Sequence, residues 1–592
     1  MLWREQIKAR RDLEAATVTV REIYGHEDTR FDRGQSIREK DKLLRNIYKS
    51  EHAKNAGAYA RLKFAMDYWC SLWFWPISEA NLLPERSEFI SDMYLILQGT
   101  MPTNSQEKQT SLFDINIEDD VMIQNVNLDQ LCEMFPRLSL VRKIADDNKF
   151  MHWELEFADV FADKGGFDLV IGNPPWVKLS WNEQNLLSDS NPMFAVKKLS
   201  AAQTANQRAK SLENSHTYGM YFGEYESITG QQNFLNAVAN YADLKGQQTN
   251  LFKCFLPQAW QFGSLTGVSA FVHPDGVYDD PKGGYLREKL YPKLRYHFQF
   301  INELKLFAEV HHNTVYSLNV YNNTESDQFE SISNLFAVET IGKCFDNSIT
   351  GRIPGIKDDE GNWSIQGHPG RVVHIGQKEL ELFAKLFDGS DNWKQARTPV
   401  IHAQIIIEIL FCYLKQNFKV EDIPNSHSLI ILDETQSQIN ETIVRNVHFP
   451  ENTLELIYSG SHIGVANPLF KSSRKICKLN SDFDNIDLTN IATDYMQRCN
   501  YKPFDSAADF IEKMPVVDSG HRYHEYYKLT SRRMLNQSGE RTLVCAITPQ
   551  HSTCINTLTS IVFEDYNKLI LVSALFSSLP FDSFIKTLGR SD

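Results

Sequence analysis

No run of about 18 or more apolar residues occurs anywhere in the 592-residue sequence, so no segment is expected to span a membrane as a helix. The opening residues, MLWREQIKARR, are charged with no apolar stretch behind them, which excludes a secretory signal there. Cysteine is scarce: the nine fall at 70, 132, 254, 344, 412, 477, 499, 545 and 554. None forms a CxxC pair, and the odd count fits reduced thiols in the cytoplasm better than a disulfide framework. No structural zinc or other metal is expected. Positive charge is in deficit, with 61 Lys and Arg against 75 Asp and Glu and a net charge of −14. Phosphate binding needs a basic face, so composition lends nucleic-acid binding no support, and any such role must confine its cations to one cleft. No internal repeat of solenoid period is present either.

What remains is ordinary globular protein, 42% hydrophobic and 23% charged, long enough for two to four domains. Residues 1–145 read as a helical region with a polar loop. The string Arg38-Glu39-Lys40-Asp41-Lys42-Leu43-Leu44-Arg45 sets opposite charges three and four apart. Ala56-Gly57-Ala58-Tyr59-Ala60 sits among helix formers, its glycine weakening the helix. The cluster Tyr68, Trp69, Trp73, Phe74, Trp75 reads as core and runs into Pro76, where the helix should stop. Residues 100–120 are polar, then acidic, and read as a loop. Strand and turn signals dominate 146–345. A polar, Gly-rich stretch, Asn347 to Gly370, opens the third region, 346–592, an α+β mixture of short elements.

The sharpest local signal lies at 165–176. After a Gly165-Gly166 turn, the apolar run Phe167-Asp168-Leu169-Val170-Ile171-Gly172 reads as a buried strand. It delivers Asn173-Pro174-Pro175-Trp176 at its C-terminal end, where open α/β sheets bind ligands. An exocyclic amine on a nucleobase is a poor nucleophile, because its lone pair is delocalised into the ring. The Asn173 side-chain oxygen and the Pro174 carbonyl can each accept an N–H bond from such an amine, raising electron density on nitrogen. Two prolines restrict the loop's dihedrals and hold the acceptors in advance. The aromatic Trp176 can stack on an extruded base. The plainer alternative is a turn after a strand, since Asn and Pro both favour turns.

His152 to Phe161 (HWELEFADVF), then Gly165-Gly166-Phe167-Asp168 and the loop, resemble the gamma-class adenine-specific DNA methyltransferases. The likeness is to the large type IIG restriction–modification and BREX- or DISARM-like members. It implies a Rossmann-like catalytic half, S-adenosyl-L-methionine as cofactor, double-stranded DNA as partner and adenine N6 as target, with cytosine N4 a chemical neighbour. On that resemblance Asp159 matches the acidic residue that contacts the adenosyl group, rather than a solvated turn carboxylate. Gly267 to Pro274 matches the strand after the loop. Phe307 to Ser317 matches the strand pair behind the flipped base, where His311 takes the place of a stacking aromatic or is a solvent-facing turn histidine.

The family's cofactor turn, Asp-x-x-x-Gly-x-Gly, has no counterpart in residues 1–150; Phe31-Asp32-Arg33-Gly34-Gln35 has one glycine in other surroundings. No nuclease signature stands out, and the sequence stops at Leu588-Gly589-Arg590-Ser591-Asp592. The expectation is therefore the C-terminal part of a split or truncated enzyme, with an upstream-encoded chain supplying the turn. Residues 395–592 resemble the family's DNA-reading region. Tyr458-Ser459-Gly460-Ser461-His462-Ile463-Gly464 with Lys471, Arg474 and Lys475 reads as a basic loop, and Arg532, Arg533 and Arg541 as a second cluster. Two rival readings are a non-catalytic DNA-recognition subunit or inactive remnant, and a protein-glutamine methyltransferase, which is much shorter.

Overall fold

The computed structural model describes residues 1–18, 42, 45, 55–99, 126–197, 199, 201–416, 420–504, 506–517, 520–535 and 539–587. Most of the charged string at 38–45, the glycine of Phe31–Gln35, the polar loop at 100–120 and the last residues, 588–592, lie outside the described residues. The chain divides into two compact units. One is Met1–His297 with Val315–Phe329; the other is Phe298–Thr314 with Glu330–Asp592.

In the first unit, the helices Ala58–Ser71, Arg86–Gln98, Leu128–Met134 and Pro136–Asn148 close around a core of Phe64, Tyr68, Ile96, Leu131, Leu138 and Val141. Gly57 caps the first of these from an extended conformation and so costs the helix interior nothing. That helix ends at Ser71, ahead of Pro76. The Ser71 hydroxyl donates to the Asp67 carbonyl at 2.7 Å, the kind of back-bonding that competes with the helical ladder. Of the aromatic cluster, Tyr68 is fully buried and donates to Asp92 at 2.7 Å, and Trp73 and Phe74 lie beside Phe234. Trp69 departs from the core reading, because its position on the helix leaves it 48% exposed.

Strands β1 to β6 are Phe167–Gly172, Gly263–Pro274, Leu294–Ile301, Val315–Asn322, Gln328–Leu335 and Val373–Gly376. β1 runs parallel to β2, from Leu169 opposite Val268 to Gly172 opposite Phe271. β2 in turn pairs antiparallel with β4, Phe271 opposite Asn319, so the α/β unit is built on a mixed sheet. The Gly-Gly turn is required by geometry: Gly165 has φ 73° and Gly166 φ 146°, and a Cβ on Gly166 would stand 2.4 Å from the Phe262 carbonyl oxygen. Phe167 is then packed by the rings of Trp153, Phe157 and Phe161 at 5.9, 5.2 and 5.5 Å.

The expectation that β1 is buried is corrected. Leu169 is 57% and Ile171 71% exposed: both lie on one face of a strand that ends the strand order, and their β2 neighbours Val268 and Ala270 are only half-buried. β2 follows the expected course and ends at Pro274.

The second unit is α+β in character. The strand Lys528–Arg532 lies between Cys545–Thr548 and Leu558–Phe563, all antiparallel, and Ser426–Leu429 pairs with the last of these. A separate antiparallel pair joins Ile443–His448 to Cys499–Pro503 over Ile443, Ile457, Tyr501 and Phe510. The stretch 347–370 is folded onto this unit through Trp363, whose ring stacks on Phe336 at 4.8 Å. Among the described residues, no single helix is long and apolar enough to cross a membrane.

Candidate functional site

β1 hands directly into the loop, and the loop alternates between open and anchored positions. Asn173 and Pro175 are exposed, Pro174 is buried and Trp176 half-buried. The Trp176 indole Nε1–H donates to the Val272 carbonyl of β2 at 3.2 Å. Its ring meets that of Tyr316 on β4, with centroids 5.6 Å apart and planes at 34°. Burial pushes the Tyr316 phenol up to about 12. Beyond the loop, Leu251 N–H donates to Val177 O at 2.9 Å and Gln232 to Leu179 O at 2.9 Å. The segment is thus held by β1 before it, by β2 and β4 beside it and by two helices after it. No member of the loop itself is ionisable, so the acceptors it offers do not change with pH.

Behind the β2–β4 pair lies a buried polar network that sequence reasoning missed. His273 stacks on Phe252 at 5.1 Å, its Nε2 3.0 Å from both the Tyr321 hydroxyl and the Asn319 amide nitrogen. The Tyr278 hydroxyl donates to the Asn319 side-chain Oδ1 at 2.6 Å. Complete burial lowers the His273 imidazole to about 4, so it is neutral at physiological pH and accepts at Nε2 from a donor. Its signal in the sequence was the run of polar residues at alternate positions in an apolar strand, Ser317, Asn319 and Tyr321. A fully satisfied network of this kind fixes one register of the two strands beside the loop.

Asp159 is neither a solvated turn residue nor an open carboxylate. It is buried in the first turn of the helix Ala158–Lys164, 3.2 Å from the Arg10 guanidinium. Arg11 pairs with Asp163 on the same helix. His152 stands 2.8 Å from Asp67, which Lys63 also reaches at 2.7 Å, tying the helical layer to the chain just ahead of β1. His311, in the second unit, is exposed on the turn that precedes β4 and accepts the Asn313 N–H at Nδ1. The surrounding segment 307–314 is loop held by the Asn302 side chain, which donates to Phe307 O and Val310 O at 2.9 Å; a strand begins only at Val315.

The cations expected to meet DNA are largely engaged within their own unit. Arg474 pairs with Asp484 at 2.8 Å, and Lys471 lies over the Phe470 ring at 5.3 Å. Arg532 donates to Ile463 O, Arg533 to Asn556 O at 3.2 Å and Arg541 to Ser577 O at 2.7 Å. The loop at Tyr458–Gly464 is interior rather than a surface arm: Tyr458, His462 and Ile463 are buried, and burial lowers the His462 imidazole to about 4. Lys475 and Lys478 are exposed, and Arg445 gives one donor to Cys477 O at 3.2 Å. They line one open groove of about 660 Å³ with Val447, Ile476 and Cys477.

Residues 45–222, which contain β1 and the loop, match the Eco57I restriction-modification methylase family. Solved structures of restriction–modification enzymes are similar at low identity. The type IIL enzyme MmeI in complex with DNA is 13% identical at a TM-score of 0.29, over 90% of this chain and 66% of that one. The type IIG endonuclease BpuSI is 12% identical at 0.22, over 93% and 70%. The EcoKI M protein is 11% identical at 0.18, over 69% and 93%. This chain spans 13% of the DNA-bound type ISP enzyme LlaBIII. No curated protein matches the chain.

Proposed function

We propose that this chain belongs to an adenine-specific DNA methyltransferase acting at N6 in double-stranded DNA, in the cytoplasm, as part of restriction–modification or phage defence. The observation that carries the reading is the Asn173–Trp176 loop at the C-terminal end of parallel strand β1, within the stretch matched to restriction-modification methylases. Asn173 stands exposed, so its Oδ1 can accept one N–H of an extruded base while the Pro174 carbonyl accepts the other. Both bonds draw the amine lone pair out of the ring. Pro174 is buried and Trp176 is tied to Val272, so the loop backbone that carries the Pro174 carbonyl is held before a base arrives. Trp176 would then offer an indole face to the base, with Tyr316 packed beside it.

The methyl donor for this chemistry is S-adenosylmethionine, which supplies an electrophilic methyl group. Asp159 does not fit the donor-binding role as it stands, because its carboxylate is buried against Arg10. Residues 1–150 hold no Gly-rich turn of the family's form, and we propose that an upstream-encoded segment carries it. The unpaired edge of β1 offers such a segment a place to extend the sheet into a Rossmann-like one. The engagement of Asp159 also favours a second reading, a non-catalytic DNA-recognition subunit. Expression of the chain with its neighbouring genes in a host without DNA methylation, followed by nucleoside mass spectrometry, decides between them. The proposal expects N6-methyladenine. N4-methylcytosine alone would correct the base, and unmodified DNA would leave the recognition-subunit reading.

A further inference from the structure

Arg445 and Val447 project from the same face of the strand Ile443–His448, two residues apart. The loop carrying Lys475, Ile476, Cys477 and Lys478 forms the opposite wall of the groove. That wall is built in advance. Arg445 Nη2 donates to Cys477 O at 3.2 Å, and the backbone N–H groups of Lys478 and Leu479 both donate to the Asp482 carboxylate, at 2.8 and 2.9 Å. The Asn500 amide adds a contact to Cys477 Sγ at 3.5 Å. The two carboxylates that follow in the chain are therefore occupied, Asp482 by these amides and Asp484 by Arg474. None lines the groove, while Lys475 and Lys478 are exposed and Ile476 is 75% exposed between them.

In a chain of net charge −14, an open trough with three cations and no lining carboxylate is a local reversal of sign. We propose that this groove holds the phosphodiester backbone of duplex DNA, with Arg445, Lys475 and Lys478 replacing counterions on successive phosphates; the inference rests on the DNA reading above. Phosphate contacts of this kind position the protein and carry no sequence information themselves. Ile476 adds apolar contact to the sugar edge.

The test measures equilibrium binding of the full chain to a fluorescent duplex of about 30 base pairs across a salt series, because each lost phosphate contact reduces the slope of log affinity against log salt by about 0.9. The variant Lys475→Gln/Lys478→Gln is compared with Lys378→Gln/Lys385→Gln, which removes the same charge from two exposed lysines elsewhere in the unit. The groove variant should bind at least about tenfold more weakly at about 0.1 M salt, with a slope shallower by nearly 2, while the control stays near wild type. Equal melting temperatures exclude a folding defect. Wild-type slope in the groove variant, or an equal change in the control, overturns the groove assignment and leaves the proposed function standing. Wild-type protein that binds no duplex overturns both.

Discussion

β1 and β2 run side by side and parallel, yet they meet opposite surroundings. On β2, Phe271 and His273 are buried; on β1, Leu169 and Ile171 face solvent. Hydrophobic content does not separate them, since both are apolar. Face and neighbours both do. The register sets Ile171 beside Ala270 and Gly172 beside Phe271, so Phe271 and His273 lie on the opposite face from Leu169 and Ile171. β2 is also paired on both sides, where β1, among the described residues, is paired on one. The functional loop thus leaves the less supported strand but takes its geometry from the better supported one, through the Val272 carbonyl and the Tyr316 ring.

The comparison can be broken most sharply by truncating one side chain on each strand. Phe271→Ala should cost about 3–5 kcal/mol, the range for removing a buried aromatic ring. Ile171→Ala, at a position 71% exposed, should cost less than about 1 kcal/mol. Urea unfolding of the two variants reads this directly, and equal costs would mean that β1 is buried in solution. A smaller effect is expected at the joint between the strands. Trp176→Phe keeps an aromatic face but removes the donor to Val272 O, a loss of about 1 kcal/mol. Trp176→Ala removes the ring as well and should cost more in stability and in stacking on a 2-aminopurine placed at the target base. If Trp176→Ala lowers the melting temperature but leaves the fluorescence change unaltered, the indole is packing and not a base platform.

The parts legible in the sequence are those set by adjacent residues. Two positive-φ glycines, an apolar run and two prolines mark turn, strand and loop locally, and the Val272 carbonyl and Tyr316 ring then hold the loop. Periodicity reports that a strand is apolar but not how many strands flank it, so the exposure of Leu169 and Ile171 was hidden. The His273 network depends on residues 46 and 48 positions away meeting across an antiparallel pair. The cations illustrate the same limit: composition counts Arg474, Arg532 and Arg541 as charge, while the fold uses them on Asp484, Ile463 and Ser577. Arg445 and Lys478, which no motif marked, share a groove only once a strand and a loop come together.

The most direct test of the account is Asn173→Ala, measured in the complete enzyme for methyl transfer to DNA and in the chain itself for melting temperature. Removing one acceptor aimed at the reacting amine should slow transfer by roughly 10²–10³-fold. Because Asn173 is exposed, the melting temperature should not move, and DNA binding should persist. Transfer within a few-fold of wild type would make Asn173 a turn residue and contradict the assignment of this loop as the methylation site.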